Sequence, residues 1–183
     1  VRPPRAPDAA GRLRALQESL RGSDPRLWFI AGLNFVHRFI FAGVVSSTFG
    51  RYLLDTFGSD IPVGGRLVGV AAVTGSLVFV RNLVTVAVGP LLGHVSDRLR
   101  DRPAILLLGE LVGVVTLLIF GASQNLPLIV LGVAGEAVAN AVVPPLLVAW
   151  MGDLSVARNR ATLVGAYQTM GDLGSGLAPV LAY

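Results

Sequence analysis

The chain has 183 residues, of which 53% are hydrophobic and only 14% are charged. Soluble domains carry roughly 25% charged residues, so this chain has too few charges to cover a surface that faces water. The apolar residues come in long blocks, which favours a membrane protein, and the absence of cysteine excludes disulfide frameworks and thiolate metal sites.

Residues 1–26 form a basic, polar segment ahead of the first apolar block, and no secretory signal is visible in it. Leu13, Leu16 and Leu20 recur at helical spacing among arginines. This pattern predicts a short amphipathic helix on an anionic membrane surface, with an irregular cytoplasmic tail as the alternative. Because the chain starts at Val1 and stops at Tyr183 within an apolar run, we expect it to be a fragment of a longer protein.

Five long apolar segments follow, and each is predicted to be a membrane-spanning helix. Each has about 20 residues or more, the length that roughly 30 Å of hydrocarbon requires. Ser23-Asp24-Pro25 gives the first segment an acidic N-cap and a proline at the first helical position. Strands are not expected, because the apolar runs are unbroken rather than alternating. The predicted helices cover about residues 27–49, 67–92, 103–122, 126–151 and 161–183.

The arginines predict the orientation of these helices. Eleven of the fifteen basic residues lie in the N-terminal segment or in the loops after the second and fourth helices. The opposite side has only Arg51 and Arg66, so the positive-inside rule predicts a cytoplasmic N-terminus. The same distribution accounts for the isoelectric point of about 10.6 without nucleic acid as a partner. The eleven are Arg2, Arg5, Arg12, Arg14, Arg21, Arg26, Arg98, Arg100, Arg102, Arg158 and Arg160.

The loop after the second predicted helix carries the most specific motif. Residues 89–103, GPLLGHVSDRLRDRP, resemble motif A of major facilitator superfamily (MFS) transporters, G-x-L-A-D-R-x-G-R-K. In the family this element closes the cytoplasmic gate against the second half of the transporter. A glycine at its start lets the second helix end and approach its neighbour closely. The corresponding residues here are Gly93, Asp97, Arg98, Arg100 and Arg102, with Arg100 in place of the second glycine.

The region around the fifth predicted helix resembles the same family. Asp153 at the end of the fourth helix and Arg160 after it match the family's gate partners. The end of the fifth helix is similar to motif C of antiporters, G-x-x-x-G-P-x-x-G-G, with Gly174, Ala178 and Pro179 at the corresponding positions. Small residues at this spacing permit close helix packing, and the proline permits a bend. The resemblance covers about residues 27–183.

The resemblance implies an all-α, polytopic membrane protein with an MFS-type helical bundle. This chain would hold the first five of an expected twelve transmembrane helices, with residues 1–26 as a cytoplasmic segment and 27–183 as the N-terminal transmembrane domain. The implied function is secondary active transport of a small molecule by alternating access in a bacterial inner membrane. The motif C resemblance favours proton-coupled efflux of a drug or metabolite; a nutrient uptake permease and a truncated, non-transporting membrane scaffold are the alternatives. The expected partners are a small-molecule substrate, a proton, the lipid bilayer and the missing C-terminal half, without cofactor or metal.

Ionisable residues inside the predicted helices are functional candidates, because a charge at the bilayer centre costs roughly 2.5–3.5 kcal/mol. Arg38, Arg81, Glu136 and Asp172 lie about 15–21 Å into their helices at 1.5 Å per residue, and Glu110 lies shallower. Arg38 and Glu136 are predicted to face the central cavity, since helices 1 and 4 line it in the family. Glu136 is the candidate for proton coupling.

The alternative for these charges is structural. In that interpretation Arg38 pairs with Glu136 and Arg81 pairs with Asp172 to hold the bundle together. Asn34 shares a helix face with Arg38, and Asn140 lies one turn from Glu136. Both are candidates for substrate contact or for interhelical hydrogen bonds.

An enzymatic function is not expected. Membrane phosphotransferases and hydrolases need aspartates or histidines clustered at fixed spacing. The chain has two histidines, no cysteine and no D-x-x-D pair.

Overall fold

The computed structural model describes residues 24–99, 101–155 and 160–183, without the side chains of residues 95–99. Over these ranges the chain forms five helices and a β-hairpin. Helix α1 runs continuously over Pro25–Phe57. It is followed by β1 (Asp60–Val63), β2 (Arg66–Gly69), α2 (Val70–Leu99), α3 (Arg102–Ala122), α4 (Leu126–Leu154) and α5 (Arg160–Ala182). The predicted amphipathic helix at residues 9–22 lies outside the described residues.

The all-α bundle predicted from the sequence is confirmed. Within the described ranges, four helices are long and apolar enough to cross a membrane: α1, α2 over Val70–His94, α3 and α4. The fifth, α5, has 23 residues, which is also a spanning length. Its polar residues Gln168, Thr169 and Asp172 make it less apolar than the others, and it packs lengthwise against α1.

Acidic N-caps start two of the helices as the sequence predicts. Asp24 accepts a hydrogen bond from the backbone of Arg26 at 2.8 Å, and Asp101 accepts one from the backbone of Ala104 at 3.2 Å. Helix α1 continues past its predicted end at residue 49. Arg51 and Asp55 form an i,i+4 ion pair of 2.8 Å on the added turns, and the helix stops where Gly58 takes a φ of +82°.

The predicted start of the second helix at residue 67 is wrong, because residues 60–69 form an antiparallel hairpin. Val63 pairs with Arg66 across a two-residue turn, where Gly64 and Gly65 have φ of +57° and +79°. Such a turn requires positive φ at both positions, which glycine adopts without strain. The expectation that strands are absent therefore fails outside the membrane-spanning runs.

The middle of α1, Arg38–Val45, is a π-helix. Ser46 donates its hydroxyl to the Phe41 carbonyl at 3.2 Å, and Thr48 donates to the Val44 carbonyl at 2.8 Å. Hydroxyl groups that bond to helix carbonyls compete with the regular backbone ladder and bend helices. A π-segment is rare and is often found at functional sites.

The buried apolar residues form two clusters at different heights along the helix axes. The start cluster contains Leu27 and Ile30 of α1 with Leu147 and Met151 of α4. The hairpin cluster contains Phe49 and Leu53 of α1, Ile61 of β1, and Ile129 and Val133 of α4. Between the two clusters, each of the five helices carries at least one charged residue.

Candidate functional site: a polar layer between the apolar clusters

Charged and amide side chains form a polar layer in the middle of the bundle. Its position follows from chain order: in α1 and α4 the polar residues lie between the residues of the two clusters. The layer contains Asn34, His37 and Arg38 of α1, Arg81 of α2, Glu110 of α3, Glu136 and Asn140 of α4, and Asp172 of α5. All four charges placed near mid-membrane by the sequence lie in this layer.

The most buried ion pair joins Arg81 to Glu136. The Nε atom of Arg81 donates to Oε2 of Glu136 at 2.5 Å and its Nη2 donates to Oε1 at 2.6 Å. The Glu136 side chain is only 5% exposed. Such two-pronged guanidinium–carboxylate contacts are among the stronger hydrogen bonds in proteins. Asn140, one turn along α4, also donates to Oε1 of Glu136.

The pairing of charges predicted from the sequence is wrong. Arg38 pairs with Asp172, with 3.0 Å between Nη1 and Oδ1, and Arg81 pairs with Glu136. Helix packing explains the exchange, because α1 packs along α5 whereas α2 packs along α4. The two pairs also differ in burial: the Asp172 side chain is 71% exposed.

A third pair, His37 with Glu110, was missed by the sequence analysis. Nδ1 of His37 lies 2.9 Å from Oε1 of Glu110, and His37 is 2% exposed. Its ring packs at a tilt on Phe41, with 4.8 Å between ring centroids. A lone carboxylate in an apolar run was the available signal, since such a group requires a partner.

A cavity of about 120 Å³ lies beside the Arg81–Glu136 pair, between α1, α2, α3 and α4. Its walls are mostly apolar, and Ser46 and Thr116 add hydroxyl groups. Glu136 lines this cavity, whereas Arg38, Asn34 and Asn140 are not among its lining residues. The lining consists of Val45, Ser46, Phe49, Val78, Arg81, Thr116, Leu117, Phe120, Gly132, Val133 and Glu136.

Asn34 is instead held between two helices. It is fully buried, and its side-chain amide donates to the Tyr167 carbonyl of α5 at 2.8 Å. Of the two roles expected for Asn34, substrate contact and an interhelical hydrogen bond, the structure shows the hydrogen bond.

The motif C-like residues bring α5 close to α1. A methyl group on Gly174 would lie 2.4 Å from the Phe35 carbonyl oxygen, and one on Gly43 would lie 2.1 Å from the Ala178 methyl. Ala178 is fully buried, and Pro179 lies inside α5. The predicted close packing of small residues is therefore present, against the Phe35 backbone and the π-helix of α1.

The predicted gate residues are partly described. Arg102 pairs with Asp153, with 3.0 Å between Nε and Oδ2. Arg160 donates to the Gly152 carbonyl at 3.2 Å, so both arginines hold the end of α4. The side chains of Asp97 and Arg98, and all of Arg100, lie outside the described residues.

The predicted end of the second helix at residue 92 is wrong. Helix α2 continues through Gly93 to Leu99, and among the described residues nothing lies within 4 Å of a methyl group built on Gly93. The helix extends seven residues past its predicted end because Gly93 lies inside the helical run.

The described residues contain no group of three or more potential metal ligands. No curated protein matches the sequence. The family model described as Major Facilitator Superfamily matches residues 18–183, which is most of the chain. It thus covers the helices, the motif A-like loop and the polar layer, and the chain belongs to the Major Facilitator Superfamily of membrane transporters.

Proposed function

We propose that this chain forms part of a proton-coupled exporter of small, mainly apolar solutes in a bacterial inner membrane, with its N-terminus in the cytoplasm. The observation that carries the proposal is the Arg81–Glu136 pair beside the cavity. It combines a buried group that can bind a proton with space for part of a solute.

Glu136 has the chemistry that coupling requires. Its carboxylate is held by Arg81 and Asn140, so a proton that binds Glu136 removes the charge to which Arg81 is paired. An unpaired guanidinium in an apolar site is costly, which favours a rearrangement of α2 against α4. Protonation and helix movement are linked in this way without any further group.

The cavity suggests the class of solute. Cavities of about 150 Å³ hold a molecule the size of benzene when their walls are apolar, and this one has about 120 Å³. Phe49 and Phe120 supply aromatic surface, and the Arg81–Glu136 pair supplies polarity at one side. The cavity is suited to an aromatic or branched apolar group of a larger solute.

Export rather than uptake rests on the motif C-like stripe. Gly174 packs against the Phe35 backbone of α1 and Ala178 packs against Gly43 in its π-helix, and this close contact between α1 and α5 resembles the antiporter motif in position and residue type. Arg102, Asp153 and Arg160 are proposed as the cytoplasmic gate elements, because they fasten the end of α4 to α3 and α5.

The test is transport by the protein expressed from its complete reading frame, in everted and right-side-out vesicles. In everted vesicles with an acidic lumen, the proton gradient should drive accumulation of an apolar solute. Glu136→Gln should abolish the dependence of this accumulation on the gradient. Asp55→Asn is the matched control, since it neutralises an exposed carboxylate that also pairs with an arginine. Accumulation only in right-side-out vesicles would favour an uptake permease, and no transport in either would favour the scaffold alternative.

A further inference from the structure

His37 is a buried titratable side chain that the proposed coupling role of Glu136 does not use. It is 2% exposed and lies on α1 directly before the π-helix. Its Nδ1 atom contacts Oε1 of Glu110 at 2.9 Å. Its Nε2 atom is buried and has no hydrogen-bond partner among the described residues.

The contact with Glu110 determines which ring nitrogen can exchange a proton. An ionised carboxylate only accepts hydrogen bonds, so Nδ1 must carry a hydrogen to pair with it. The neutral ring then has its lone pair on Nε2, and the next proton to bind is added there. With that proton in place the ring is a cation beside the carboxylate, and the pair becomes a complete ion pair.

The other charged groups around this part of α1 are already paired with one another. The groups around this part of α1 are Arg38 and Asp172 from α1 and α5, and Arg81 and Glu136 from α2 and α4. Each of these two pairs sums to zero. Tyr167 of α5 donates its hydroxyl to the Pro144 carbonyl at 3.3 Å. While Glu136 is ionised, the net charge of the layer therefore changes from −1 to zero when His37 binds its proton.

We propose that Nε2 of His37 is a second proton-binding site in the bundle, separate from Glu136, with Glu110 as the positioning residue that fixes the ring. One proton adds to the Nε2 lone pair, and no covalent bond breaks. With that proton bound, the contact between α1 and α3 is a full ion pair; without it, the contact is a hydrogen bond from Nδ1 of His37 to Glu110.

The site is connected to the Arg81–Glu136 pair through Phe41. The His37 ring packs on the Phe41 ring, and the Phe41 carbonyl accepts a hydrogen bond from Nη2 of Arg81 at 3.5 Å. His37 is thus two contacts from Arg81 and three from Glu136, the group proposed to couple transport. The proton site itself does not depend on the transport proposal.

The test uses the fact that the chain has only two histidines. The other, His94, is exposed, so His94→Gln leaves His37 as the single imidazole of this chain. The chain is labelled with ¹⁵N-histidine and placed in lipid nanodiscs. Its ring-nitrogen shifts are followed from about pH 5 to pH 9, since they distinguish the two neutral tautomers from the cation.

We expect the Nδ1-protonated tautomer in base and the cation in acid. Glu110→Gln keeps an acceptor for Nδ1 but removes the charge, so the tautomer should persist while the fraction of cation at a given acidic pH falls. Glu110→Leu removes the acceptor and should shift the neutral ring toward the Nε2-protonated tautomer. An Nε2-protonated ring in the wild-type pair, or shifts that do not change with pH, would overturn the proposal.

The same spectra separate this proposal from the proposed role of Glu136. In a Glu136→Gln, His94→Gln protein, the His37 resonances should still report proton binding at Nε2. If Glu136→Gln abolishes gradient-driven transport by the protein from its complete reading frame but His37 of the labelled chain still binds a proton at Nε2, the second site stands whatever the outcome for coupling. If the His37 signals lose their pH dependence in this variant, the site is not separate and the proposal fails.

Discussion

The contact between Gly43 on α1 and Ala178 on α5 allows a size-exchange test of the helix packing. A methyl group added at Gly43 would lie 2.1 Å from the Ala178 methyl, whereas nonbonded carbon atoms are most stable at about 3.5–4.0 Å. The helices would therefore have to separate by roughly 1.5 Å at this point. Overpacking of this kind costs about 1–3 kcal/mol. We expect Gly43→Ala to lower the free energy of unfolding by that amount relative to a glycine-to-alanine change that meets no neighbour.

The chain offers matched controls and a rescue for this test. Gly32 on α1 and Gly176 on α5 have nothing within 4 Å of an added methyl group, so Gly32→Ala and Gly176→Ala report the helix propensity effect alone. Ala178→Gly removes the opposing methyl group. The double variant Gly43→Ala, Ala178→Gly should then recover much of the loss, although the new methyl group still lies 3.2 Å from the Ser175 carbonyl oxygen.

Unfolding is followed by circular dichroism as sodium dodecyl sulfate is added to detergent micelles. A double-mutant cycle should give a favourable coupling of about 1–3 kcal/mol. The predicted clash is contradicted if Gly43→Ala is as stable as the two controls. It is also contradicted if the double variant loses the summed free energies of unfolding that the two single variants lose.

Three further changes test other contacts of the bundle by the same unfolding assay. Arg81→Leu leaves Glu136 as a buried charge without its partner and should lower the free energy of unfolding by about 3–5 kcal/mol. Replacing both residues by leucine should lower it by less. An equal or larger loss in the double variant would contradict the ion-pair assignment. Arg102→Ala removes an ion pair whose Asp153 side chain is 58% exposed, and should lower the free energy of unfolding by less than about 1 kcal/mol. A larger loss would show that the contact is structural. Tyr52→Phe removes a hydroxyl whose single hydrogen can be donated to either of two carbonyl oxygens at the end of α3. This change should lower the free energy of unfolding by about 0.5–1.5 kcal/mol, and unchanged stability would be the contrary result.

Much of the helical architecture could be predicted from the sequence, because helix ends and apolar length are local properties. Asp24 and Asp101 cap helices at the predicted positions. The hairpin also had a local signal, since Gly64-Gly65 between short β-prone runs is typical of a two-residue turn. The sequence analysis overlooked it because the following apolar run was assigned as one helix. The π-helix had no comparable pattern.

The content of the polar layer was predictable, but its pairing was not. Depth along a helix follows from residue number and rise, which is why Arg38, Arg81, Glu136 and Asp172 fall in one layer. The partner of each charge depends on which helices are neighbours, and that depends on the packing of many apolar residues. The His37–Glu110 pair escaped for the same reason, because nothing local indicates that α1 and α3 meet there.

Coupling of solute movement to protons by Glu136 is tested most directly by comparing two assays on one variant. Solute counterflow requires the helices to alternate but needs no net proton movement, whereas accumulation driven by a pH gradient requires both. In proteoliposomes of the protein from its complete reading frame, we expect Glu136→Gln to retain counterflow and to lose gradient-driven accumulation. Gradient-driven accumulation by Glu136→Gln at the wild-type level would contradict the account.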